Sequence, residues 1–553
     1  MSKRDRLIIF APIVIALVLT AGIFLGTAFA NKNLRNIISK EIAKQSSGSR
    51  TGFNGHGFTL APKNDKINSA LYYVLNDYVD SVPIGKISED VIPAILKDLD
   101  PHSVYIPARD FQKYNEPLTG NFSGIGVLFN MLDDTVAIIS TVPNGPSSMV
   151  GILPGDRIVE VEDITVAGVH MTSDSIVGML KGRRGTPVRI KVFRRGEKEL
   201  IDFEIVRDDI PLYSVDVHYM INEEIGYVKV STFAQTTIRE FLSAAEDLKA
   251  RGMKKMIIDL RSNGGGIMEA AINMADQFLE EGKLIVYTEG RSRPRKNEFS
   301  TSRGILKDTE VVILIDEITA SASEILAGAI QDNDRGLIIG RRSFGKGLVQ
   351  EQMTFSDGSA VRLTVAKYYT PTGRSIQKPY NNGREEYYND LSNRFLHGEF
   401  ESADSITFSD SLKFITPGGK VVYGGGGIMP DVFVPVDTAY FSMYLNRATN
   451  LGLMHRFAFY YTDEHREELK DMTTAEEIVG YLDDNELKKE FLEFAVSKGL
   501  KTDPEGLKTS EEFILTEIKA YIARNVIDNI GFYPVIQKLD HTLQVAVDTL
   551  ANT

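Results

Sequence analysis

At 553 residues, 43% of them hydrophobic and 25% charged, the chain has the length for roughly three to four domains and the composition of a folded protein. Its 62 Lys+Arg against 75 Asp+Glu leave a net charge of −13, with no basic stripe interleaved with aromatics, which argues against nucleic acid as a partner. Cysteine is absent, ruling out disulfides, thiolate metal sites, a cysteine nucleophile and a lipidated cysteine.

Taken from the N-terminus, KRDR at 3–6 precedes residues 7–30 without a charge, long enough to span a bilayer. The basic cluster belongs on the cytoplasmic side, so residues 1–30 read as a single-pass signal anchor in the cytoplasmic (inner) membrane, with the rest of the chain on the periplasmic side. Ala28-Phe29-Ala30 also resembles a signal-peptidase site, but the apolar stretch is long for a cleaved signal and an uncleaved anchor is preferred. Residues 31–60, with QSSGSRTGFNGHG, read as a flexible linker. Helical periodicity then predicts an N-terminal helical domain over 61–116, ending near the turn-rich LDPHSVYIP. Short strand-like runs punctuated by SGIGV, NGPSS, LPGD and RRGTP predict a small β domain over 117–208.

From 209 to about 440, strands and helices alternate in an α/β core. MIIDL and VVILID are continuous apolar runs, as expected of strands buried on both faces, and the segment after Ser321 has helical spacing. Residues 381–415 read as irregular and polar, and GKVVYGGGGIMPDVFVPVD as strands returning to the core. Residues 441–553 read as wholly helical and acidic, with no site-like cluster.

Four stretches carry chemistry. Ser321 and Glu324 fit an S-x-x-E capping box, so Ser321 is either a helix cap or a nucleophile mounted at a helix start, where free amides favour an oxyanion. In RRSFGKGLVQ, Gly340-x4-Gly345-Lys346 imitates a phosphate loop, but Gly347 stands where Ser or Thr is needed and a strand follows instead of a helix. Lys346 and Gln350, four apart on an extended segment, point to one face. No histidine sits in a recognisable triad motif, so a neutral lysine is the alternative base. Burial would have to lower its pKa from ~10.4 towards neutrality, at roughly 3–4 kcal/mol, with Phe344 and Leu348 as apolar cover. In DLRSNGGGIMEA the dinucleotide fingerprint fails at Glu269. An amide of Gly265 or Gly266 with that of Ala322 would make a two-donor oxyanion hole, or the glycines form only a tight turn. In NFSGIGV, the amides of Ser123, Gly124, Ile125 and Gly126 suit a terminal carboxylate.

LDPHS (99–103), SGIGV, LPGDRI, DLRSNGGG, TASASEIL and FGKGLVQ, in that order over roughly residues 60 to 440, resemble the C-terminal processing peptidases, or tail-specific proteases. The resemblance implies a crotonase-like α/β serine protease core (209–440) with an inserted PDZ β-domain (117–208), an N-terminal helical segment and a C-terminal helical region. It implies Ser321 as nucleophile, Lys346 as base and Gln350 as the residue positioning the lysine, with no metal and no cofactor. Its expected partners are proteins or peptides with apolar C-terminal tails, which the PDZ domain would feed to the core or use to license it, and the membrane through the N-terminal helix. For 381–415 and 441–553, homo-oligomer contacts, adaptor docking and substrate guidance all stay open. The second reading is a non-catalytic PDZ scaffold that binds tails of exported proteins. The presence of Ser, Lys and Gln together favours the peptidase.

Overall fold

The computed structural model describes residues 66–407, 409–483 and 486–552, in two units, residues 1–99 and 100–553. The expected anchor and linker lie outside the described residues. Among the described residues no helix is long and apolar enough to cross a membrane. The first unit contains α1 (Lys66–Asp77) and α2 (Ile84–Lys97).

In the second unit β1 (Val104–Ile106) pairs antiparallel with the strand over Ala360–Tyr369, and α3 (Phe111–Thr119) follows. The stretch expected as one helical domain over 61–116 is therefore divided, its last part joining the sheets of the second unit. Next, β2 (Asn121–Gly124) enters a small β module and β9 (Asp208–Pro211) leaves it; the two pair antiparallel. Entry and exit thus share one two-stranded stalk, the geometry of an inserted module. Between them run β3 (Val127–Leu132), β4 (Thr135–Thr141), β5 (Arg157–Val161), β6 (Ile164–Thr165), α4 (Ser173–Leu180), β7 (Pro187–Phe193) and β8 (Ile201–Val206). The sheet order is β3-β4-β5-β7-β8 with β6 on β5, leaving β3 at an edge. Ile176 and Leu180 of α4 share the module's core with Val127, Phe129 and Met131 of β3.

The central sheet is built from β10 (Val215–Met220), β11 (Ile225–Val230), β12 (Lys255–Asp259), β15 (Glu310–Ile315), β16 (Leu337–Gly340) and β21 (Val432–Phe433), in that order. Only the β10–β11 pair is antiparallel. The period of two along each strand explains the unbroken apolar runs. Val228, Met256, Ile258, Val311 and Ile313 face one core, and Tyr227, Ile257, Val312, Leu314 and Ile339 face another. The first face is covered by α5 (Thr237–Ala250), α6 (Met268–Asp276) and α7 (Ala322–Asp332). Every residue of α7 is buried.

A second sheet holds β13 (Leu284–Gly290), β14 (Arg293–Phe299), β17 (Leu348–Thr354) and β18 (Ala360–Tyr369) together with β1. The stretch expected to be irregular, 381–415, contains α8 (Arg384–Leu396), whose Tyr387, Leu391 and Phe395 are buried at helical spacing. Of the strands expected to return to the core, only β21 does so. β19 (Lys413–Ile415) and β20 (Val421–Tyr423) pair with each other alone.

After residue 440 the chain is helical, as expected: α9 (Met443–Asn450), α10 (Leu453–Glu464), helices over Arg466–Leu469, Ala475–Asp483 and Leu487–Ser497, α11 (Pro504–Ile527), α12 (Asn529–Ile536) and α13 (His541–Ala551). Most of these share their own core. Apolar contacts also reach beyond it. Phe459 of α10 packs on Leu132, Ala137 and Ile139 of the β module, and Leu543, Ala546 and Leu550 of α13 cover the second face of the central sheet.

Candidate active site

The turn from β15 to α7 is fixed from both sides. The Asp316 carboxylate accepts from the N–H groups of Ile318, Thr319 and Ser262, tying this turn to the glycine loop after β12. Thr319 Oγ1 donates to the Leu260 carbonyl at 2.9 Å. Ser321 then sits at φ 57°, ψ −115°, a conformation costly for any residue with a Cβ. Directly after it the buried helix α7 begins, so Ser321 stands at the positive end of a helix dipole. Glu324 reaches back and accepts the Ser321 N–H at 2.8 Å, the carboxylate half of the expected capping box.

Gly265, at φ 98°, lies against this turn. A Cβ there would stand 2.7 Å from Ser321 Cβ and 2.9 Å from Ala322 N, so only glycine permits the approach. Its own N–H donates to Asn263 Oδ1 at 2.8 Å, and is therefore committed. Of the two glycine amides expected at the site, that of Gly265 is thus taken, whereas among the described residues the N–H groups of Gly266 and Ala322 have no acceptor. Asn263 holds the loop in place, accepting from Ala320 N–H through its carbonyl and donating from Nδ2 to the Val230 carbonyl.

Lys346 lies in the loop before β17. Its backbone N–H donates to Glu324 Oε2 at 2.9 Å, and the N–H of Gly345 and the hydroxyl of Ser343 donate to Glu324 Oε1 at 2.7 and 2.5 Å. Lys346 Nζ donates to Gln350 Oε1 at 3.2 Å, and Gln350 Nε2 donates to the His102 carbonyl at 2.6 Å. Burial pushes the Lys346 ammonium below the usual lysine range and Arg362 adds to the effect, against the opposing charges of Glu324 and Asp100. Among the described residues it has no salt bridge. Ser321 Oγ and Lys346 Nζ are not hydrogen-bonded to each other, as is common before substrate tightens a site.

Several functional neighbours were not evident from the sequence. Phe344, next but one to Lys346, carries the Lys378 ammonium 3.8 Å from its ring centre, and the same ammonium lies 4.3 Å from the ring centre of Tyr387. His102 Nε2 meets the Tyr387 hydroxyl at 2.7 Å, and burial with Lys346 nearby lowers its pKa to about 3. It is no base. Asp100 clamps the same loop, accepting from His102 N–H, Ser103 N–H and Ser103 Oγ, and from Thr364 Oγ1 on β18. The order of LDPHS among the motifs was the only sequence signal for this support. Tyr387 had none.

In the β module, Ser123 and Gly124 lie in the β2–β9 ladder opposite Asp209 and Asp208. Ile125 and Gly126 follow it, and among the described residues their N–H groups have no acceptor. They sit at the head of the open edge of β3.

The sequence model of peptidase family S41 matches residues 224–382, that of the PDZ domain residues 123–205, and that of a family of unknown function residues 444–528. The carboxy-terminal processing protease CtpA of Bacillus subtilis is 35% identical over 320 residues, 57% of this chain and 67% of that protein. The carboxy-terminal-processing protease of Bartonella bacilliformis is 35% identical over 309 residues, 55% of this chain and 70% of that protein. Among solved structures, the photosystem II D1 C-terminal processing protease is similar at 25% identity and a TM-score of 0.36, over 66% of this chain and 86% of its own.

Proposed function

Since the chain belongs to the carboxy-terminal processing proteases of peptidase family S41, and is a serine-type endopeptidase with a PDZ domain, we propose that Ser321 is its nucleophile and Lys346 its general base. The observation that carries this is a buried lysine whose amine has no carboxylate partner among the described residues and whose ammonium is disfavoured, while its backbone N–H is bound to the same carboxylate oxygen as the N–H of Ser321. Neutral Lys346 Nζ takes the proton from Ser321 Oγ as the oxygen attacks the scissile carbonyl carbon. The resulting oxyanion accepts from the N–H groups of Gly266 and Ala322. Lys346 then gives its proton to the leaving amine; in the second half it takes one from the water that attacks the acyl carbon and passes it to Ser321 Oγ as the acyl–oxygen bond breaks, which restores the hydroxyl and the neutral amine. Gln350 holds one N–H of the amine, leaving the lone pair free for the serine.

The PDZ domain, in this reading, takes an apolar C-terminal tail as an added strand on the open edge of β3, its carboxylate on the amides of Ile125 and Gly126. The uncharged segment 7–30 behind KRDR supports export and tethering, with the catalytic part outside the cytoplasm. A reporter fused after residue 60 that functions only outside the cytoplasm tests that orientation.

The full chain in detergent, incubated with a folded reporter ending in apolar residues, tests the reaction. Cleavage that requires a free apolar terminus and is abolished by both Ser321→Ala and Lys346→Ala is expected. Cleavage surviving either substitution overturns the dyad.

A further inference from the structure

The two backbones that carry the proposed catalytic groups are joined by one atom. Glu324 Oε2 accepts the N–H of Ser321 at 2.8 Å and the N–H of Lys346 at 2.9 Å. Resting on the Ser321–Lys346 reading, we infer that Glu324 is a positioning residue that sets the distance between nucleophile and base, and whose charge sets the strength of that base.

An ordinary capping glutamate serves only its own helix. Glu324 does more. It is fully buried, and its second oxygen takes the N–H of Gly345 and the hydroxyl of Ser343, both in the loop of Lys346. Ser343 Oγ itself accepts from Ile428 N–H at 2.6 Å, so its proton is free to point at the carboxylate. All four partners of Glu324 are therefore donors. Three of them are backbone N–H groups and the fourth is a hydroxyl, a set that favours the carboxylate; burial outweighs it and leaves the carboxyl's pKa above the usual range. A buried carboxylate with four donors is a rigid link, because moving either loop would leave a charge short of partners.

The charge has a second consequence. The charged groups facing Lys346 are Glu324 and Asp100, which favour its ammonium, and Arg362, which opposes it; His102 is neutral. Glu324 thus makes Lys346 a stronger base, at the expense of the pH range over which it is free. Because activity needs the neutral amine, the acid limb of the rate profile follows Lys346.

The test measures kcat and KM against pH on the tailed reporter, with thermal melts, for the full chain and for Ser321→Ala, Lys346→Ala, Glu324→Gln and Glu324→Asp. Residual activity in either of the first two would overturn the dyad, and the inference with it. With those inactive, Glu324→Gln is expected to lose on the order of tenfold or more in kcat with little change in KM, and to move the acid limb to lower pH. Glu324→Asp keeps the charge but shortens the reach, so it should lower kcat and leave the limb in place. A Glu324→Gln variant with the parental kcat, or one whose loss of activity comes with an unmoved limb, would make Glu324 a structural cap only. If Glu324→Gln gives no cooperative melt, Glu324→Asp decides: parental kcat overturns the link, and low kcat with an unmoved limb and a folded melt upholds it.

Discussion

Gln350 donates its side-chain amide to the carbonyl of His102 at 2.6 Å. A carbonyl only accepts, so the amide must present its nitrogen to His102 and its oxygen to Lys346. Gln350→Ala removes that oxygen and leaves the His102 carbonyl short of a donor. A fall of about tenfold to a hundredfold in kcat is expected, from roughly 1–3 kcal/mol of lost orientation. Gln350→Glu places a negative charge beside Lys346 and should shift the acid limb of the rate profile to higher pH. An unshifted limb would mean that Gln350 does not face the amine.

Lys346 weakens the fold in which it works. Its folded pKa is lowered by burial, whereas in the unfolded chain it titrates near ~10.4. Between those two values the unfolded state holds more protons, so stability rises with pH there; below the folded value the cost is complete. Lys346→Met keeps the shape without the charge. It should abolish cleavage and raise stability by about 1 kcal/mol at neutral pH, with the gain shrinking as pH climbs towards that of free lysine. Chemical denaturation at several pH values reads both effects, and a destabilised Met variant would show that Lys346 is held by partners instead of being merely buried.

The backbone at Ser321 offers a separate test of strain. At φ 57°, ψ −115° a serine or alanine carries a cost that glycine does not, on the order of 1–3 kcal/mol. Both Ser321→Ala and Ser321→Gly should be inactive, but the glycine variant should melt at the higher temperature. Equal melting temperatures would mean that the turn relaxes in solution.

At the other end of the same helix, Asp332 and Arg374 form an ion pair with no exposed surface, the guanidinium also donating to Gln331 Oε1 and the Tyr423 carbonyl. Removing one partner strands the other in the interior. Asp332→Ala is expected to cost about 3–5 kcal/mol in denaturant unfolding, while the double replacement by apolar residues of similar volume should recover much of it.

Local chemistry was the most legible part of this chain. The strand–turn–helix setting of Ser321, the four-residue spacing of Lys346 and Gln350, and the two-faced strands MIIDL and VVILID all follow from short stretches of sequence. What the sequence did not disclose depends on distant partners. Gly265 and Gly266 look alike until Asn263 Oδ1 takes one of their amides. His102 sits some 250 positions from the glutamine it orients. Glu324 reads as a cap because its other three donors lie beyond the helix. α8 escaped notice because charged residues surround Tyr387, Leu391 and Phe395 in REEYYNDLSNRFL, so its apolar stripe is thin.

The placement of α13 bears on how the chain matures. Tyr227, Ile257, Val312 and Leu314 form one face of the sheet that carries the Ser321 turn, and residues 543, 546 and 550 help to seal that face. A ribosome delivers the strands first and their cover more than two hundred residues later. That face stays uncovered until the last helix has been made.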